Sequence, residues 1–318
     1  MSALWTDPRI KTLFSNKALE NLDAMAVYSM GFNTRWRGDI VNKGSTVRVF
    51  SFPRPTINDY TVPSSALASQ LISYQRLGPT YQELTIDQDK DWAIAEDQIQ
   101  AMMADPDLFD ELAKNGAWAF HDVIDRHLAT VIHGGAGSVD GITGSGVGSA
   151  PIVGNGATDD ITAYVLIERI RESFKDRSVP GVDLHIFVPN WLMTMIRVDP
   201  RFTGFGTTQN RQTANGEDIV KLAGITIHET INALDGAGTA FDTNGDANAQ
   251  NRVLATWEGA ATWAMMRDPQ SMVHTIKAED NILSRDNVMR AFALWGAKIF
   301  IADGALSQIV QKGEYEPS

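Results

Sequence analysis

The chain has 318 residues, 43% hydrophobic content, no cysteine and a formal net charge of −12 from 27 basic and 39 acidic side chains. That is enough apolar mass for one large or two modest cores, and it excludes disulfides, cysteine-ligated zinc and thiol nucleophiles. The acidic balance argues against a dedicated nucleic-acid reader, which needs a basic surface for phosphate, but not against lying near nucleic acid. The start, Met1-Ser-Ala-Leu-Trp-Thr-Asp-Pro8, has no basic, apolar leader pattern, and no apolar run approaches the ~20 residues that span a bilayer. The expectation is a soluble chain, made and used in the cytoplasm, with no membrane partner.

Residues 1–36 mix apolar and polar types, with a short helical period through Leu19, Leu22 and Ala26. Trp5, Ile10, Leu13 and Phe14 make this segment too apolar to dangle in water, so it is expected to pack on something, a neighbouring subunit included. Gly44 to Phe52 reads as an outgoing strand, with Val47 and Val49 on one face and Thr46, Arg48 and Phe50 on the other. Pro53, Pro55 and Pro63 interrupt any ladder, and the stretch to Gln70 is small and polar. Leu71–Leu77 and Tyr81–Ile86 return as strands. A segment this long and this poor in core residues needs a surface to order it.

Asp87–Asp97 reads as an acidic hinge. After it comes the clearest element, a helix over about 106–133. Asp105 caps it, Pro106 suits its first position, and Leu108, Leu112, Gly116, Phe120, Ile124, Leu128 and Ile132 recur every four residues. Phe109, Ala113, Ala117, Val123, His127 and Val131 widen that stripe, and Gly134-Gly135 is expected to stop it. Gly134–Asn155 is Gly/Ser-rich and reads as loop or irregular strand. Thr158 is expected to cap a helix to about Lys175, followed by a strand at Val182–Val188 and a short helix at Pro189–Arg197. Asp199–Glu217 reads as a polar loop, with pore lining as a candidate role. Strands at Ile225–His228 and Val253–Trp257, a short helix at Glu258–Met266, and β alternation from Pro269 to Gln311 complete the chain. Asp286 and Gly296 are the expected breaks in that last stretch. Strands and helices come in blocks, which makes the class α+β.

Four constellations invite chemistry. His121, Asp122, Asp125 and His127 resemble a metal-phosphohydrolase cluster, but all lie on one helix and no second cluster supplies further ligands. Asp242, Asn244, Asp246 and Asn248 have calcium-loop spacing, yet Ala247 and Val253 stand where such a loop needs Gly and Glu. Gly144-Ser-Gly-Val-Gly148 lacks the Lys-Ser/Thr ending of a phosphate loop. Trp257, Trp263, Met265 and Met266 read as core rather than as a ligand pocket. No catalytic residue, metal or cofactor is therefore expected.

With hairpin, acidic hinge and long helix in that order, the chain resembles the major capsid proteins of tailed bacteriophages, which share the Hong Kong 97 (HK97) fold. The carrying residues are Gly44-Ser-Thr-Val-Arg-Val49, Leu84 to Asp97 and Asp107 to His133. Ile186-Phe-Val-Pro-Asn-Trp-Leu-Met193 and Asn287 to Ala302 add to the succession. The resemblance implies an N-terminal arm (1–36), an extended β-hairpin loop (37–90), a peripheral domain (91–157 and 270–318) on the spine helix, and an axial domain (158–269). It implies self-assembly into hexamers and pentamers of an icosahedral head around double-stranded DNA, without sequence-specific binding. The expected location is the virion, with assembly in the host cytoplasm. Its partners would be further copies, a separate scaffolding protein, a portal and, optionally, cementing proteins.

A separate scaffold is expected because about forty residues without charged heptads precede the first strand, so Met1 would persist in the shell. No lysine lies between Gly44 and Asp89, so a lysine weld from the extended loop is not expected. Arg35, Trp36 and Arg37 at the base of the loop, and Tyr60, Tyr74, Arg76 and Tyr81 along it, are the candidate subunit contacts, because aromatics and arginine anchor interfaces. Three rival readings remain: an encapsulin-type cage, a soluble metal-dependent hydrolase using His121, Asp122 and Asp125, and a connector ring.

Overall fold

The computed structural model describes residues 27–34, 46–51, 55–57, 78, 80–95, 106–154, 159–199, 221–222, 224–242, 249–265, 273–276 and 288–313. β1 (Thr46–Ser51) and β2 (Thr80–Thr85) pair antiparallel as a two-stranded ribbon, with Val47 opposite Leu84 and Arg48 opposite Glu83. This is the expected hairpin. The expected strand at Leu71–Leu77 lies outside the described residues.

The acidic stretch is no hinge. Gln88–Ala95 is a strand, β3, paired antiparallel along its whole length with β13 (Val288–Ile299), from Gln88 opposite Trp295 to Ala95 opposite Val288. Its charges are tolerated because Asp89, Lys90 and Asp91 are exposed, while Trp92 packs against the core behind them. Behind it runs α1 (Pro106–Gly135), 30 residues and so about 45 Å long. Phe120, Ile124, Leu128 and Ile132 form its buried stripe as predicted. Val123, expected in that stripe, is 39% exposed. The buried face turns instead towards His121 and Asp125, which meet the N-terminal segment. Gly134 and Gly135 belong to the last turn rather than stopping the helix before it. Gly116 has no side chain because Trp92 lies there: a Cβ would sit 2.7 Å from the indole Cζ2.

The Gly/Ser-rich stretch contributes β4 (Ser138–Val139) and β5 (Ile152–Val153), and β6 (Asp160–Ile161) follows. α2 (Ala163–Asp176) is capped by Thr162, whose Oγ1 accepts from the Val165 amide at 3.4 Å. Thr158, the expected cap, lies outside the described residues, and Ile161, expected in the helix, belongs to β6. Then come β7 (Leu184–Pro189), α3 (Asn190–Val198), β8 (Lys221–Leu222), β9 (Ile225–Thr230) and β10 (Gln250–Trp257). The helix expected at Glu258–Met266 is a turn, closed by the Ala260 amide on the Trp257 carbonyl at 2.9 Å, followed by β11 (Ala261–Met265). All five β11 residues are buried, so no period separates strand from helix there. β12 (Val273–Ile276), β13 and β14 (Ala305–Lys312) confirm the β character of the C-terminal stretch.

Two larger sheets result. One has eight strands in the order β6-β5-β14-β10-β7-β9-β8, with β4 on β14; the other sets β13 between β3 on one side and β11 and β12 on the other. Helices α2 and α3 cover one face of the eight-stranded sheet, where Leu166, Ile170, Phe174, Leu192 and Ile196 meet Ile186, Val188, Ile225 and Val253. Helix α1 packs where the two sheets approach, its stripe touching Trp263, Met265 and Trp295 of one and Leu254 and Phe187 of the other. The spine helix thus ties both sheets together. In sequence terms the sheets interleave: β11 joins the four-stranded one and β14 the eight-stranded one.

Candidate assembly surface

A two-stranded ribbon is marginal by itself, so its root must be held by something else. Val47, Leu84 and Ile86 form a small core with Ala264 of β11 and with Leu294 and Phe300 at β13 and its end. The Lys298 ammonium donates to the Glu83 carbonyl at 2.9 Å, and Gln82 Nε2 donates to the Phe300 carbonyl at 2.9 Å. Gly296, an expected strand break, is instead in mid-strand. Its missing side chain makes room for the Thr85 carbonyl, into which any Cβ would run. Gly296→Val is therefore expected to push the ribbon off β13 while leaving the helices paired. Proteolysis at the ribbon should accelerate at least about tenfold, with little change in far-UV circular dichroism.

Above this root the ribbon presents polar and aromatic side chains. Arg48 Nε donates to Glu83 Oε1 at 2.8 Å, and its guanidinium lies 5.1 Å from the centre of the Tyr81 ring. Tyr81 is 57% exposed, and Ile57 further out is 93% exposed. Of the candidate contacts, Tyr81 alone falls among the described residues; Arg35, Trp36, Arg37, Tyr60, Tyr74 and Arg76 lie outside them. Sequence reasoning passed over Arg48, although its place on the polar face opposite Glu83 follows from strand alternation. It also passed over Lys298, which only the fold brings to the ribbon.

The end of the arm is seated on its own chain. Tyr28 and Phe32 are buried, the Tyr28 hydroxyl donates to the Asn232 carbonyl at 3.0 Å, and the Tyr28 amide donates to Asp125 Oδ1 at 3.2 Å. Asn33 bridges to β11, its amide donating to the Ala261 carbonyl at 2.8 Å. Residues 27–34 thus form an internal strap. Residues 1–26, expected to pack on a neighbour, are outside the described residues.

The helical decoys take structural places. His121 Nε2 lies 3.3 Å from buried Asp125, whereas Asp122 turns to the half-exposed Arg126 at 3.1 Å. The three residues expected of a hydrolase do not converge, and His127 accepts from Trp295 Nε1 at 3.1 Å instead. Burial pushes the Asp125 carboxyl up to about 6, against the opposing pull of His121 and of the Tyr28 and Val27 amides. A carboxyl raised in the folded state is stabilising when protonated, so its contribution is full below pH ~4 and lost as pH rises through about 6. Asp125→Asn is expected to unfold at a higher temperature than wild type at pH 7.5, with the gap closing by pH 4. A melting series across that range checks it.

In the Gly144–Gly148 turn the amides are engaged, Gly144 with Ser149, Gly146 with Ala150 and Val147 with the Gln311 side chain at 2.9 Å, so no phosphate cradle forms. Trp263 and Met265 are core, as predicted. Asp242 is described, but the rest of the calcium-like spacing is not. Among the described residues no group of three His, Asp or Glu is placed to hold a metal, and no helix is long and apolar enough to cross a membrane.

The elements are a root-anchored ribbon, a spine helix behind a sheet, and a second sheet carrying two helices. Together they make the HK97-like fold expected from the sequence. A solved structure from Mycobacterium phage Che8 aligns with 89% of this chain and 90% of its own at a TM-score of 0.64 and 19% identity. The capsid structure of the cyanophage P-SCSP1u aligns with 86% of this chain and 85% of its own, at a TM-score of 0.57 and 15% identity. A virus-like particle from Pyrococcus furiosus aligns with 93% of this chain and 97% of its own, at a TM-score of 0.50 and 8% identity. No protein-family model and no curated protein matches the sequence.

Proposed function

We propose that this chain is a major capsid protein that self-assembles into the icosahedral head of a double-stranded DNA phage. The carrying observation is the near-complete alignment, in both directions, with phage structures. The ribbon supports it: its root is fixed by Lys298, Gln82 and the approach to Gly296, while Arg48 and Tyr81 are held outward on an exposed face. Preorganised side chains of this kind lower the ordering cost of a contact. Many modest contacts of that sort, repeated by symmetry, hold a shell together while leaving each one correctable during assembly.

In this reading the four-stranded sheet and α1 form a peripheral body, and the eight-stranded sheet with α2 and α3 forms an axial one. The polar loop Asp199–Glu217 would line a pore. Tyr81 and the candidate contacts Arg35, Trp36, Arg37, Tyr60, Tyr74 and Arg76 would meet neighbouring copies. The net charge of −12 suits a wall that holds DNA without binding it tightly. Scaffold, portal and cementing proteins would be separate partners, the chain would reside in the virion, and it would carry no catalysis.

Expression of the chain alone, followed by negative-stain electron microscopy, tests the reading. Closed shells or sheets of hexamers are expected, alone or with a candidate scaffold. A uniform monomer or dimer at high concentration, even with scaffold, would overturn it, and closed rings would favour a connector. A second reading, a cellular cage enclosing protein cargo, has the Pyrococcus virus-like particle as its supporting likeness. Packaged DNA in native particles selects the first reading, and a packaged enzyme selects the second.

A further inference from the structure

Apart from the ribbon and the helix pair, a histidine pair stands on the eight-stranded sheet. His185 of β7 and His228 of β9 lie on adjacent parallel strands, their rings 13° from parallel and 5.2 Å between centroids. His185 Nδ1 and His228 Nε2 are 2.9 Å apart. Two ring nitrogens at that distance share one proton, one nitrogen donating and the other accepting. His228 in turn stacks on Phe187 at 5.3 Å, and Phe187 meets Tyr28 of the strap at 4.6 Å. A run of four rings, the first two joined edge to edge, therefore leads from the half-buried imidazole pair to the residue that seats the strap.

We propose that this run of rings is a proton-operated clasp: the hydrogen shared between His185 and His228 keeps the strap seated, and charging both rings unseats it. The first added proton is accommodated. Burial lowers the His185 pKa, with Glu258 and Asp183, at the ends of β10 and β7, opposing and Lys221 of β8 reinforcing it; once protonated, His185 donates its Nδ1 hydrogen to His228 Nε2. The second proton must enter on His228 Nε2. It removes the accepting lone pair and sets two N–H groups of two cations edge to edge, so the rings part and Phe187 loses the ring it packs on.

Burial, and then the charge of His185, pushes His228 down to about 4. Histidines lowered in this way contribute stability that is complete above their ordinary value near 6.5 and is lost as pH falls through the folded one. From the other side Tyr28 faces Asp125 and, behind it, His121 on α1. Asp125 titrates across an overlapping range with the opposite sign, so the clasp is read with Asp125 replaced by asparagine.

Hydrogen exchange of the full-length chain, read by mass spectrometry from pH 7 to 3.5 and corrected for intrinsic rates, tests the clasp. In an Asp125→Asn background, protection of the strap amides of Phe32 and Asn33 should fall by up to about tenfold per pH unit between roughly pH 6.5 and pH 4 and level off below, the slope of one proton taken up on opening. With His228→Phe added, the ring contact with Phe187 remains but that proton cannot be taken, so protection should stay flat. If His228→Phe does not fold, His185→Gln serves, because the amide oxygen accepts from a protonated His228 and keeps the clasp shut. A flat profile in Asp125→Asn, or the same slope with and without the histidine substitutions in that background, overturns the proposal. So does loss of β14 protection in step with the strap, which marks global unfolding. None of these outcomes depends on whether the chain builds a shell.

Discussion

Asp140→Ala is expected to cost about 2–4 kcal/mol of unfolding free energy, from charge-assisted hydrogen bonds lost to a buried guanidinium and an alanine placed in the left-handed region. The Arg252 side chain is 7% exposed and grips Asp140 with both terminal nitrogens, at 3.1 Å to Oδ1 and 3.3 Å to Oδ2. The same guanidinium reaches Ser307 Oγ at 3.2 Å, which in turn contacts His133 Nδ1 at 2.8 Å. Asp140 Oδ1 also accepts from the Ile309 amide at 2.8 Å. One carboxylate therefore holds together the end of the spine helix, the turn after it, β10 and β14. Removing it leaves a mostly buried cation and the Ile309 amide without their acceptor, for which water entering from the exposed side of Asp140 compensates only in part. Asp140 further sits at φ 53°, where alanine is less tolerant than aspartate. Asp140→Asn keeps one acceptor and the backbone preference, so it should lose distinctly less. Urea unfolding of the three proteins decides, and an alanine loss under about 0.5 kcal/mol would mean the cluster is not holding the helix end.

Trp295→Ala should cost a similar ~3–5 kcal/mol, as for other buried large-to-small changes in a core. The indole is wholly buried in mid-β13, within the core that α1 shares with Trp263 and Met265. It also donates to His127 Nδ1, which fixes the hydrogen of that imidazole on Nε2. Trp295→Phe keeps most of the area and loses only the bond, so about 0.5–1.5 kcal/mol is expected for it. The pH response separates the two terms. Burial lowers the His127 pKa, with Asp87 opposing it, so the contribution of this histidine is full above its ordinary value near 6.5 and falls away below. Opening the site by Trp295→Ala returns His127 towards that ordinary value and flattens the acid limb. Chemical denaturation at pH 7.5 and 5 for both variants checks this, and an equal acid limb in wild type and alanine variant would refute it.

The elements most legible in the sequence are those whose signal is local and periodic. The four-residue recurrence from Phe120 to Ile132 specified α1 and its buried stripe, because a 3.6-residue turn leaves only one face to bury. The alternation at Val47, together with the return through Leu84, specified the ribbon in the same way. The succession of these elements carried the likeness to shell proteins. Where local chemistry was ambiguous the reading erred. Asp89, Lys90 and Asp91 look like a solvated hinge until β13, far along the chain, supplies a full ladder of hydrogen bonds. Ala261–Met265 is apolar on both faces, so its period says nothing, and its strand state comes from pairing with β13.

Of the candidate site, Tyr81 could be named from its type and its place on a coreless excursion. The residues that hold the ribbon could not. Lys298 and Gly296 look like ordinary strand residues until the ribbon is laid against them. His121 and Asp125 suggested chemistry because they are one helical turn apart. Only the docking of Tyr28 shows that they secure the strap. The sequence alone thus determined the helix, the hairpin and the absence of thiol chemistry, since these depend on composition and near neighbours. Tertiary structure alone decided how the sheets interleave, where the ribbon is anchored and what the buried charges hold. Those outcomes depend on hydrogen-bond and packing partners distant in the chain, which no local pattern encodes.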